Sequence, residues 1–126
     1  MIKSKYRFDT LQIHAGSRPD PSTGARQVPI YQNTAYVFKS ILQAEALFDL
    51  KELGHIYSRL SNPTVSVLQE RIATLEGGIG AVCTSSGHAA QILALFPLMS
   101  PGDNLIASTR LYGGTIQQFS NTIKKF

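Results

Sequence analysis

The chain has 126 residues, 43% of them hydrophobic, with a formal net charge of +4 and a single cysteine. That length suits one modest domain with a real core. One thiol excludes an intrachain disulfide framework and a cysteine-built zinc site, and no apolar run is long enough for a signal-peptide core or a membrane span, so a soluble cytoplasmic protein without a membrane partner is expected. The charge excess belongs to residues 1–39, where Lys3, Lys5, Arg7, Arg18, Arg26 and Lys39 face only Asp9 and Asp20; residues 40–126 are balanced. These basic residues are dispersed and carry no nucleic-acid-binding signature, so nucleic acid is not an expected partner.

In chain order, residues 1–39 lack periodicity and are punctuated by Gly16, Pro19, Pro21, Gly24 and Pro29. They read as an extended arm with turns, whose Ile13, Val28, Ile30, Tyr31, Tyr36, Val37 and Phe38 need another surface to pack on. Ser40 is placed to cap a short helix reaching about Leu50, ended by Gly54. The next helix is the most plainly written. Asn62 is a good N-cap, Pro63 occupies the first helical position where its missing N–H costs nothing, and Val65, Leu68, Ile72 and Leu75 make one face before Gly77 and Gly78 stop it. A strand is expected near Ala81–Thr84, where Cys83 reads as a small buried hydrophobe. A helix follows from about His88 to Met99, with Pro97 able to shorten it, then a turn at Pro101-Gly102-Asp103, a second strand over Asn104–Ser108, and a last helix opened by Gly113 or Gly114. Helix, strand, helix, strand, helix implies an α/β fold with a parallel sheet and crossover helices. The last helix runs to Phe126 without a cap or a following strand, which suggests the amino-terminal piece of a longer protein.

The chemistry is expected beyond the carboxyl ends of the two strands. Thr84-Ser85-Ser86-Gly87-His88 joins a strand to a helix. Its helix-start amides have no intrahelical acceptor, and Ser86 and Gly87 carry little bulk, so a phosphate can approach; an ordinary β–α connection would look the same. At the second strand end Tyr112 could stack on a flat heteroaromatic ring, or simply pack. Tyr57 and Arg59 sit in a polar loop before a helix and can both donate to phosphate, although a surface loop would contain them equally. Other chemistries lack their motifs. Gly77-Gly78-Ile79-Gly80 precedes a strand instead of following one, no Walker sequence is present, and His14, His55 and His88 have no metal-ligand spacing.

Several stretches in order carry a resemblance. They are residues 10–16 (Thr-Leu-Gln-Ile-His-Ala-Gly), residues 23–32 (Thr-Gly-Ala-Arg-Gln-Val-Pro-Ile-Tyr-Gln), Tyr57-Ser58-Arg59 with Asn62-Pro63-Thr64, Leu75-Glu76-Gly77-Gly78, Ser85-Ser86-Gly87-His88-Ala89-Ala90 and Leu111-Tyr112-Gly113-Gly114-Thr115. Together the chain resembles the N-terminal part of a fold-type I pyridoxal-phosphate enzyme of the Cys/Met metabolism family. His88 and the Pro19–Arg26 stretch look most like its O-acetylhomoserine sulfhydrylases.

The resemblance implies pyridoxal 5'-phosphate as cofactor. Gly87 and His88 amides would hold its phosphate, Ser86 would support the turn, and Tyr112 would stack on the pyridine ring and assist proton transfer. Tyr57 and Arg59 would reach the phosphate in a neighbouring subunit, so a homo-oligomer, usually a tetramer, shares its sites. Residues 1–61 would be the arm and short helix at the subunit contact, and residues 62–126 the start of the cofactor-binding domain. The implied reaction is γ-replacement on O-acetylhomoserine by sulfide or a thiol, giving homocysteine for methionine biosynthesis, with cystathionine γ-synthase or methionine γ-lyase chemistry as alternatives. The family's cofactor-bearing lysine, its acidic partner for the pyridine nitrogen and its carboxylate-binding arginine have no counterpart here. The 126 residues are therefore expected to cover about the first third of the enzyme and to be inactive alone. A reading of another class is a non-catalytic module that docks on full-length subunits.

Overall fold

The computed structural model describes residues 6–126, so Lys3 and Lys5 of the basic arm lie outside the described residues. It divides into two compact units, Met1–Cys83 and Thr84–Phe126.

The first unit is organised by α3 (Pro63–Glu76). Asn62 caps it by accepting the Thr64 N–H at 2.9 Å, Pro63 opens it, and Gly77 ends it in the left-handed conformation at φ 67°. These are the start and stop signals the sequence carries. The shorter α2 (Ile41–Phe48) is capped by Ser40, whose hydroxyl accepts the Gln43 N–H at 3.1 Å.

The arm differs from expectation, because it contains a helix, α1 (Phe8–His14), which packs against α3. α1 buries no residue fully and has no side-chain cap, so neither periodicity nor capping announces it. Its support is tertiary: Arg71 of α3 donates through Nε to the Ala15 carbonyl at 2.9 Å. Gly16 then turns the chain at φ 71°, so close to α3 that a Cβ there would lie 2.6 Å from the Val67 carbonyl oxygen. Beyond it, Asp20 organises a tight turn. Its carboxylate accepts from the backbone and hydroxyls of Ser22 and Thr23, and these bonds hold its pKa down at about 2 from an ordinary 3.8.

In the second unit α4 (Gly87–Leu95) stops before Pro97, as that residue demands, and α5 (Gly113–Gln117) passes into a π-helical turn over Gln118–Thr122 and a 3-10 turn over Ile123–Lys125. The expected uniform last helix is thus three short segments.

The expected parallel sheet is not formed among the described residues. Residues 81–84 and 104–108 form neither strand nor helix, and the isolated bridge present is antiparallel, between Ala35 and Tyr57. A parallel strand is completed by neighbours that take up its N–H and C=O groups, and an apolar run in sequence says nothing about whether those neighbours are alongside. Val82 and Ile106 are correspondingly 77% and 97% exposed, and Cys83 is half-buried instead of buried.

Candidate active site

Ser86 is extended at φ −159° and begins α4, its hydroxyl accepting the Ala89 N–H at 3.2 Å while its carbonyl accepts from Ala90 at 3.0 Å. Helix bonding therefore starts at Ala89 and Ala90, and the Gly87 and His88 amides stand ahead of it, free for an outside acceptor. Thr84 steadies the approach by donating through its hydroxyl to the Ser86 carbonyl at 2.8 Å. The first turn has no acidic residue to neutralise the positive helix end. A Cβ on Gly87 would meet nothing within 4 Å, so access to these amides is open. An anion the size of a phosphate fits here by geometry and by charge.

Tyr112 is brought to the same place by α5. Its carbonyl accepts from Thr115 and Ile116, making it the backbone cap of that helix, while its side chain is 76% exposed. Two bonds tie α5 and the π-helical turn after it to α4. Gln91 Nε2 donates to Thr115 Oγ1 at 2.8 Å, with Thr115 only 4% exposed, and Gln118 Nε2 donates to the His88 carbonyl at 3.2 Å. The His88 and Tyr112 rings consequently lie 6.0 Å apart, tilted by 49°.

They meet over Gly114, a residue the sequence offered as a helix opener and as part of the Leu111–Thr115 stretch. A Cβ at 114 would lie 2.7 Å from Tyr112 Cε1 and 2.8 Å from both Cε1 and Nε2 of His88. The available signal was a glycine inside a helical start, which is unfavourable there unless something packs against it. An exposed aromatic face beside open helix-start amides is a fit for a phosphorylated heteroaromatic. No group of three His, Cys, Asp or Glu able to hold a metal occurs among the described residues.

Tyr57 and Arg59 belong to the first unit. The Arg59 guanidinium carbon lies 4.8 Å from the centre of the Tyr57 ring, a cation–π arrangement that presents phenol and guanidinium together. The turn carrying them is closed by Leu60 and Ser61, whose N–H groups donate to the Tyr57 carbonyl at 2.8 and 3.0 Å. It is joined to the arm by the Ala35–Tyr57 bridge and by Ser58 N–H to the Thr34 carbonyl at 2.8 Å. Of the six sequence-nominated residues, Ser86, Gly87, His88 and Tyr112 come together in one unit, and Tyr57 and Arg59 pair in the other.

An open helix start beside an exposed tyrosine has room and charge for a phosphorylated cofactor, and sequence comparison gives the family. Residues 9–126 match the model of the Cys/Met metabolism PLP-dependent enzymes, and the chain belongs to that family. It is 59% identical over 119 residues to O-acetyl-L-homoserine sulfhydrylase 1 of Thermus thermophilus, covering 94% of this chain and 28% of the relative. It is 48% identical to the homocysteine synthase of Schizosaccharomyces pombe, with the same coverages of 94% and 28%. Among solved structures it matches one named as an O-acetylhomoserine (thiol)-lyase from Campylobacter jejuni, bearing a pyridoxyl-lysine phosphate, at TM-score 0.90 and 48% identity over 96% of this chain and 30% of that one. The chain thus spans under a third of the length of these relatives.

Proposed function

We propose that this chain is the cofactor-phosphate part of an enzyme that replaces the acetoxy group of O-acetylhomoserine with sulfide or a thiol, releasing acetate and giving homocysteine or its S-substituted homologue. The observation that carries the reading is the open start of α4 with Tyr112 and His88 meeting beside it on Gly114. The name of one relative supplies the substrate and that of another the product.

When bound, pyridoxal phosphate supplies the electron sink that acidifies the substrate's α- and β-hydrogens. The amides of Gly87 and His88 would hold its phosphate, with Ser86 fixing the turn. Tyr112 would stack on the pyridine ring and help keep bulk water from it, and its phenol would assist proton transfer at the substrate. Tyr57 and Arg59 bind the phosphate held by a neighbouring subunit, which makes a homo-oligomer, with a tetramer as its usual form, the working unit. Residues 1–61 serve that subunit contact and residues 62–126 begin the cofactor-binding domain. A cytoplasmic location goes with this metabolic role; no helix among the described residues is long and apolar enough to cross a membrane.

The test is turnover by the full-length protein. Homocysteine and acetate formed in equal amounts from O-acetylhomoserine and sulfide are expected. Cleavage of cystathionine or methionine without turnover of O-acetylhomoserine would overturn the reading. Site sharing is tested by mixing Arg59→Ala subunits with subunits lacking the cofactor-bearing lysine; recovered activity is expected, and none in demonstrably mixed oligomers would mean self-contained sites.

A further inference from the structure

Asn62 does more than cap α3. It is 8% exposed, and its carboxamide is fully engaged in three directions. Oδ1 accepts the Thr64 N–H at 2.9 Å, and the two Nδ2 hydrogens go to the Tyr31 carbonyl at 3.0 Å and to Ser58 Oγ at 3.0 Å. Ser58 is the residue between Tyr57 and Arg59. Its hydroxyl proton is already given to the Asn33 carbonyl, so toward Asn62 it can only accept. One buried amide therefore fixes three things at once: the start of α3, the arm at Tyr31 and the centre of the Tyr57–Arg59 turn. A cap alone requires only the oxygen, and serine, threonine or aspartate would provide it. The two N–H donations are what a carboxamide adds.

We propose that Asn62 is a positioning residue for the Tyr57–Arg59 pair, holding the turn between them through Ser58 so that phenol and guanidinium are presented together to an anion. This rests on the proposed phosphate role of Tyr57 and Arg59. Without the amide hydrogens, Ser58 loses the Asn62 donor at 3.0 Å and keeps its bond to the Asn33 carbonyl and a longer contact at 3.4 Å with the Tyr36 hydroxyl, so the turn is held less firmly where Arg59 leaves it.

The variant that separates cap from position is Asn62→Asp. A carboxylate still accepts from Thr64 N–H and suits a helix N-terminus, but it has no hydrogens for Tyr31 or Ser58. In the full-length protein, the equilibrium affinity of the apoenzyme for pyridoxal phosphate is measured for Asn62→Asp, Arg59→Ala and the double variant, with apoprotein melting as the control on folding. Asn62→Asp is expected to remain folded while melting below the wild type, because two buried donations are lost, and to bind the cofactor on the order of tenfold more weakly, the scale of a lost hydrogen bond or two. Because Asn62 acts through Arg59, the double variant should bind no more weakly than Arg59→Ala alone.

Additive losses, or wild-type affinity in Asn62→Asp, would overturn the proposal. Unchanged affinity in Arg59→Ala would instead refute the phosphate role beneath it. If Asn62→Asp fails to fold, Ser58→Ala removes the acceptor of the same bond and leaves the cap intact. The same lack of additivity is then expected, and additivity would be equally fatal.

Discussion

Gly114→Ala separates stability from function at the candidate site. The added Cβ would sit 2.7 Å from Tyr112 Cε1 and 2.8 Å from two atoms of His88, where ordinary contact begins at 3.4 Å. Each ring must therefore withdraw by about 0.6–0.7 Å. In a closed core such crowding costs about 1–3 kcal/mol. Here the obstructing atoms are the ends of side chains, and Tyr112 is 76% exposed, so its ring can swing away into open space. Against that small cost, alanine in place of glycine in a helix gains up to about 1 kcal/mol. The net change in stability is expected to stay within about 1 kcal/mol of zero. Under the role proposed for Tyr112, function is more sensitive, because displacing a group beside reacting atoms by about 1 Å can lower the rate on the order of a hundredfold. The full-length Gly114→Ala protein should melt within a few degrees of wild type, while kcat/KM for O-acetylhomoserine falls roughly ten- to a hundredfold. A folded variant with wild-type kcat/KM would show that ring placement over Gly114 does not matter, and a variant that no longer folds would show that the rings cannot yield as argued.

Arg59→Ala in the full-length protein removes a charge-assisted contact worth about 1.5–3 kcal/mol, so cofactor affinity measured by equilibrium titration should fall about ten- to a hundredfold; unchanged affinity would remove Arg59 from the phosphate site. Gly16→Ala forces a side chain into the left-handed region at φ 71° and against the Val67 carbonyl at 2.6 Å. Both act on backbone that cannot give way, so urea denaturation should show a loss of about 2 kcal/mol or more, and a loss under 1 kcal/mol would contradict the close docking of α1 on α3. Asp20 has a lowered pKa, so its bonds support the turn fully above its ordinary 3.8 and are lost as pH falls through about 2. Carbon NMR of its carboxyl should give a midpoint near 2, and a midpoint at the ordinary value would mean that Ser22 and Thr23 do not hold it.

The features legible in sequence are those whose causes are local. Asn62, Pro63 and Gly77 write the ends of α3 within a few residues of where they act, and Ser86-Gly87 makes an open helix start by its own backbone. Pro97 ends α4 for the same kind of reason. What could not be read depends on distant partners. α1 is held by Arg71, 56 residues from the Ala15 carbonyl it binds. The tie between Asn62 and Tyr31 spans 31 residues, so sequence revealed the cap and hid the other two bonds. Gly114 looked like punctuation because its meaning lies in two rings delivered by different helices. The apolar runs at 81–84 and 104–108 have the composition of strands, yet a ladder is a property of neighbours, and sequence periodicity does not report them.

The arm between Pro29 and Tyr36 is fastened at points and not along a seam. Thr64 takes the Tyr31 N–H and gives its hydroxyl to the Pro29 carbonyl, Asn62 holds the Tyr31 carbonyl, and Ser58 holds Asn33 and Thr34, while most of the arm's side chains remain exposed. Little apolar surface has to be wetted to lift such a segment, so its opening is governed by a handful of hydrogen bonds that break together. Each of those fasteners is also a residue of the 57–64 stretch. Detaching the arm and loosening the Tyr57–Arg59 turn are therefore one event, with one opening free energy that amide hydrogen exchange at Tyr31 and Ser58 would report in common.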